Sequence, residues 1–182
     1  MNLTNHFLLA LPTLHQDYFA ATLTYICEHS DDGAMGFVVN RPSDVSVLEL
    51  LNELNLNPKR HWVDHPVIAG GPVSTDRGFM LFAGEDTYDS SLTVTDGVHL
   101  TSALESMRAV ANDEGPERFM IALGYAGWQG GQLESEIARN VWLTVEADPS
   151  VLFDQPFEQR LDAAASLLGI DLSLVSPEAG HS

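Results

Sequence analysis

The chain has 182 residues, 45% of them apolar, and carries 26 acidic against 8 basic side chains, a formal net charge of -18. That length suits one domain, or one domain with a small appendage, and the apolar fraction suits a packed core. The charge excludes the common routes to nucleic acid and to anionic membrane surfaces, both of which depend on Lys and Arg neutralising phosphate.

The first nineteen residues, MNLTNHFLLALPTLHQDYF, lack a basic leader, and their apolar run is too short for a signal sequence or a membrane span. A cytoplasmic protein with no membrane association is therefore expected. Within the run, residues 5–12 read as a first strand stopped by Pro12. Residues 21–40 hold two β-rich runs around Asp32 and Gly33, and Asp-Gly between such runs is a strong hairpin signal. Leu23, Tyr25 and Cys27 alternate onto one face of the first run. Cys27 stands alone, so neither an intrachain disulfide nor a cysteine-based zinc site is available. Arg41-Pro42 closes the second run.

Residues 43–54 open with cap-type side chains and continue as a helix, with Val47, Leu50, Leu51 and Leu54 at helical spacing. Residues 55–66 are a loop. Residues 67–84 read as strand, glycine turn and strand. Residues 91–100 form a second Asp-Gly hairpin. Residues 101–116 are a helix capped by Thr101 or Ser102 and stopped by Gly115-Pro116. Residues 117–126 are a buried strand. Then come a glycine-rich turn, a short helix, the strand 141–147 and a final amphipathic helix over 157–170. The last residues, 171–182, form a flexible tail behind a single domain spanning 1–170. Hairpins first, then helices alternating with strands, give an α+β fold and not a doubly wound parallel sheet.

The candidate sites cluster on glycines. Gly124, Gly127, Gly130 and Gly131 stand between a strand and a helix, the layout that cradles phosphate on backbone N–H groups. Their spacing fits neither the dinucleotide fingerprint nor the P-loop. Glu134 and Glu136 in the first turn of the next helix complement its dipole and repel an anion. One reading is that these glycines permit positive φ and close packing under Trp128. The other is a ligand loop for an uncharged or cationic group stacked on Trp128 or Tyr125. Gly36 inside a strand signals a bulge or a close backbone approach. Asn40 and Arg41 sit at a strand end, where a capping amide and a site residue look alike. Gly70 and Gly71 let another backbone or a ligand come close, and only the fold can set them against the 124–131 stretch. The ligand-binding set is therefore Asn40, Arg41, Gly70, Gly71, Gly124, Gly127 and Trp128.

Other constellations carry less. His61 and His65 have the i, i+4 spacing of a metal pair, but Pro58 and Pro66 bracket them and the catalytic Glu of such motifs is missing. His29 with Asp31 and Asp32 reads as polarity at a hairpin tip. Cys27, beside Glu28, reads as a small buried hydrophobe with a blunted thiol. No G-x-S-x-G elbow and no triad is present. No metal and no cofactor is expected.

Taken in order, FLLALP, YICEHSDDGAMGFVVNRP, AGGPV, RGFMLF, ALGYAGWQGGQLESEI and WLTVEAD resemble the AlgH/YqgE-like family of bacterial proteins, from about Asn5 to about Gly169. The resemblance implies an α+β fold with a bifurcated, hairpin-rich mixed sheet curled into a partly closed pseudo-barrel and flanked by helices. It also implies a transcription-related regulatory role, and it brings no catalytic residues with it. The charge points such a role towards a protein partner or a small ligand in place of DNA. The alternative is an enzyme of unknown class built from Glu28, Asn40, Arg41 and Glu134 near the glycine-rich segments.

Overall fold

The computed structural model describes residues 1–10, 17–60, 62, 64–85, 88–102 and 104–174. The expectations placed on Pro12, on His61 and on the tail beyond residue 174 lie outside the described residues. The fold is α+β, with ten strands among the described residues, β1 (His6–Ala10), β2 (Leu23–Ser30), β3 (Gly33–Val38), β4 (Pro42–Ser46), β5 (Pro66–Ala69), β6 (Val73–Ala83), β7 (Leu92–Thr95), β8 (Val98–Thr101), β9 (Phe119–Gln129) and β10 (Trp142–Glu146). The helices are α1 (Val47–Glu53), α2 (Leu104–Ala111), α3 (Gln132–Ala138), α4 (Pro149–Phe153) and α5 (Arg160–Leu167). The sheet is mixed, since β5 runs parallel to β9 while the other pairs are antiparallel. It branches at β9, where β5 pairs outside the main strand order β10-β1-β2-β3-β9-β6-β8-β7.

The chain forms two compact units, one made of residues 1–40 and the segment from Ala126 onward, the other of Arg41–Tyr125. No linker marks either boundary, and the second falls inside β9.

Unit one is built on β10, β1, β2, β3 and the end of β9. The β2–β3 hairpin closes with Ser30 opposite Gly33, leaving Asp31 and Asp32 as its two-residue tip. The simple alternation expected of β2 does not hold. The register shifts between Ile26 and Glu28, so Cys27 is the extra residue of a bulge, and Leu23 to Cys27 are all buried. Gly36 faces this bulge, and a Cβ there would lie 2.4 Å from the Tyr25 carbonyl oxygen, a separation only glycine allows. Phe7, Tyr25 and Phe37 stand in register on one face. On the other, Leu8, Ile26, Ala34, Trp128 and Trp142 pack with Leu133 of α3. Helix α5 packs on β1 and β2. Its Arg160 is buried, donating from Nη1 to the Val39 carbonyl at 2.7 Å and lying 4.4 Å over the Phe157 ring. Burial pulls its guanidinium down to about 10.

Unit two gathers β4 to β8 and the first part of β9. Val47 and Leu51 of α1 and Met107, Val110 and Ala111 of α2 cover Met80, Phe82 and Ile121 of the sheet. Ser46 caps α1, accepting the Glu49 N–H at 3.1 Å. The helical pattern from Ser43 therefore begins four residues late, and Pro42 opens the short strand β4 in place of ending a strand.

Four helices end alike. The residue after each cap, Asn55, Asp113, Asn140 or Gly169, has φ between 58° and 72°. The next N–H reaches back across the last turn: Leu56 to Leu51, Glu114 to Ala109, Val141 to Glu136 and Ile170 to Ala165, at 2.8–3.1 Å. Helix α2 therefore ends at Ala111, turned off by the left-handed Asp113, before the expected Gly115-Pro116. Helix α4, capped by Asp148 with proline in its first turn, is an addition to the sequence reading, and the final helix narrows to a 3₁₀ turn over Phe157–Gln159 followed by α5.

Candidate functional site

The glycine-rich stretch is mostly strand. β9 continues through Gly124 and Gly127 to Gln129, and only Gly130 and Gly131 turn the chain into α3. Tertiary pairing overrides the low strand propensity of glycine: Ala34 lies opposite Trp128, and Met35 opposite Gly127. The expected glycine-rich turn is therefore shortened to two residues after a strand, and Gly131, at φ 80°, is the position before the helix.

In unit two the fold brings Gly70, Gly71 and Gly124 together. The Gly70 N–H donates to the Leu123 carbonyl at 2.9 Å. Gly124 has φ 77°, and a Cβ on it would meet the Gly71 carbonyl oxygen at 2.5 Å and that of Val73 at 3.2 Å. Here the close approach is of backbone to backbone. The Arg41 carbonyl accepts the Ala69 N–H at 2.9 Å, tying β4 to β5.

In unit one, Asn40 acts as a strand-end cap: its Oδ1 accepts the Leu23 N–H at 2.9 Å and its Nδ2 donates to the Ala21 carbonyl at 3.0 Å. Trp128 is 7% exposed. Its indole N–H donates to Glu136 Oε2 at 2.9 Å, and the Trp142 indole N–H donates to the same oxygen at 2.9 Å. Gln132 adds a bond to the other oxygen at 3.1 Å. Phe19 packs against both indoles, with ring centroids 6.2 and 5.6 Å away.

His29 is more than hairpin-tip polarity. Its Nδ1 accepts the Leu3 N–H at 2.9 Å, so the ring proton sits on Nε2, which donates to Glu134 Oε1 at 2.5 Å. With Nδ1 occupied, the ring has no free lone pair to serve as a general base. Glu134 is held below the usual carboxylate range, first by its own backbone N–H and then by the His29 bond. Glu134 was legible as a polar candidate; its partner lies 105 residues away in sequence, and no local signal joins them. Cys27 is buried, and burial, with Glu28 second, pushes its thiol far above the ordinary range. Among the described residues no three His, Cys, Asp or Glu side chains converge on a metal position.

Unit two also holds a cleft of about 750 Å³ between the end of β6 and the connection from α2 to β9. Phe82 and Tyr88, buried and edge to face at 5.3 Å, belong to its lining. Glu85, Glu114, Glu117 and Arg118 complete the charged lining, three carboxylates to one guanidinium. Two bonds set its edges: Ala83 N–H to the Arg118 carbonyl at 3.0 Å, and His99 Nε2–H to the Gly84 carbonyl at 2.9 Å. Sequence reasoning missed this cleft. The available signal was a pair of acidic loops, GED at 84–86 and DEGPER at 113–118, and nothing local says that they meet.

The AlgH-like family model matches residues 7–173. The chain belongs to the AlgH-like family. Among its relatives, a UPF0301 protein of Nitrosospira multiformis is 48% identical over all of this chain and 98% of its own length. One of Thiobacillus denitrificans is 50% identical, again over all of this chain and 98% of its own length. The solution structure of the AlgH protein of Pseudomonas aeruginosa superposes with a TM-score of 0.83 at 44% identity, covering all of this chain and 97% of the other. A crystal structure from Corynebacterium diphtheriae, at 21% identity and a TM-score of 0.76 over 96% of this chain and 91% of the other, shares the fold. The AlgH-like resemblance read from the ordered motifs is thus confirmed. No helix among the described residues of this AlgH-like chain is long and apolar enough to cross a membrane.

Proposed function

We propose that this AlgH-like protein is a cytoplasmic, transcription-related regulatory protein that works by binding a protein partner or a small ligand, and not by touching DNA directly. The observation that supports this reading best is the cleft of about 750 Å³ in unit two, where Glu85, Glu114 and Glu117 stand around Phe82 and Tyr88. Carboxylates beside aromatic rings favour a cationic or amphipathic group and repel phosphate. The chain's net charge of -18 acts in the same sense at long range.

The test is a pair of titrations followed by fluorescence anisotropy, one with a labelled arginine-containing peptide and one with labelled duplex DNA at low salt. Peptide binding that is lost in the folded triple variant Glu85→Gln, Glu114→Gln, Glu117→Gln, with no DNA binding, supports the reading. DNA binding with a steep salt slope overturns it, because that slope counts phosphates neutralised by the protein.

A further inference from the structure

The segment before β1 is fastened to unit one by two kinds of bond. Leu3, buried in the apolar cluster with Leu8 and Ile26, donates its N–H to His29 Nδ1 at 2.9 Å. Asn5 is held independently: its N–H donates to the Ile26 carbonyl at 2.9 Å, its side-chain oxygen accepts the Tyr25 hydroxyl at 2.7 Å, and its carbonyl accepts the Ala147 N–H at 2.9 Å. Only the first of these anchors runs through an imidazole nitrogen that a proton can block.

We infer that His29 is a proton-operated latch on Leu3, freeing its N–H and side chain from the sheet while the His6 bonds to the Leu3 and Thr4 carbonyls, Asn5 and β1 stay in place. A proton added to Nδ1 occupies the lone pair that accepts the Leu3 N–H, so two donors then face each other and that bond cannot form. The bond on the other side of the ring survives and strengthens, because Nε2–H to Glu134 becomes a bond between opposite charges. Protonation therefore loosens the amino-terminal segment and tightens the link between β2 and α3. Opening lifts Leu3, 6% exposed in the closed form, off the apolar surface of Leu8 and Ile26.

The charged surroundings of the pair are Glu134 of α3 and the Met1 amino group, which acts on Glu134. On the ring's own hairpin are Glu28, Asp31 and Asp32. His6 on β1, in register with Glu146 of β10, is the other imidazole of this region. Its Nδ1 donates to the Thr4 carbonyl at 3.0 Å, a bond that protonation leaves intact.

The experiment is residue-resolved amide exchange by NMR on the full chain, as protection factors against pH, for the wild type and for His29→Gln, Glu134→Gln and His6→Gln. The expected result is a fall of about 10-fold or more in Leu3 protection over the pH range in which the ring resonances show His29 gaining its second proton. Asn5 protection stays constant across that range. The transition moves to lower pH in Glu134→Gln, where the imidazolium has lost its counter-charge. It disappears in His29→Gln and persists in His6→Gln. Leu3 and Asn5 losing protection together would mean general acid opening and would overturn the latch. So would a Leu3 amide that stays protected while the His29 ring titrates.

Discussion

Replacing Glu136 by Ala removes the one oxygen that two buried indoles share. Trp128 and Trp142 are 7% and 5% exposed, and both Nε1–H groups point at Oε2 from 2.9 Å. A buried donor left without a partner costs about 1–3 kcal/mol, so two give about 2–6 kcal/mol. Glu136 itself is only half-buried, and water entering its place satisfies part of the loss, which sets the expectation at about 2–4 kcal/mol. Glu136→Gln keeps an acceptor of the same shape and gives up only its charge, for about 1 kcal/mol. Both figures are a sizeable share of the ~5–15 kcal/mol that stabilises a typical domain. Urea unfolding followed by tryptophan fluorescence and by far-ultraviolet circular dichroism measures each. In a Trp128→Phe, Trp142→Phe background the donors are gone, and the Glu136→Ala cost should fall towards zero, since the coupling lies in those two bonds. An unchanged cost in that background, or a wild-type cost below about 1 kcal/mol, refutes the reasoning.

Gly124→Ala combines a positive φ with a Cβ 2.5 Å from the Gly71 carbonyl oxygen, and should cost about 3 kcal/mol or more by thermal or urea unfolding. Gly169→Ala has a similar φ of 72° but open space around the added atom, so about 1 kcal/mol is expected, and the difference between the two isolates the backbone contact. Cys27 should resist a thiol-specific reagent in the native protein and react only on unfolding, because its thiol is buried and held protonated. The same raised pKa makes stability fall above pH ~8.5, where the unfolded thiol ionises and the native one does not, with a slope of up to about 1.4 kcal/mol per pH unit. Cys27→Ala should remove the onset of that slope, which urea midpoints across pH 7–10 would show.

The residues that were easiest to read act through their nearest neighbours. Asp96-Gly97 turns a hairpin because Gly97 accepts φ 81°, and Ser46 caps a helix because its hydroxyl reaches an N–H three residues on. The missed elements depend on distant partners. β4 is five residues long and mostly polar, and it is a strand because β5 lies beside it. β9 runs through glycines because β3 and β6 supply its hydrogen bonds.

The candidate residues divide in the same way. Gly36, Gly124 and Trp128 stand out in the sequence, but composition does not say what they approach. For the two glycines it is a carbonyl oxygen of a neighbouring strand, and for Trp128 it is a carboxylate it shares with a second indole. The sequence by itself determined the α+β class, both hairpins, the buried inert thiol and the electrostatic bias against phosphate, since each rests on composition or on chemistry within a few residues. Only the tertiary structure decided that His29 meets Glu134 and Leu3, and that two acidic loops line one cleft. Those pairings join segments far apart along the chain, and a side chain carries no local mark of the partner that folding brings to it.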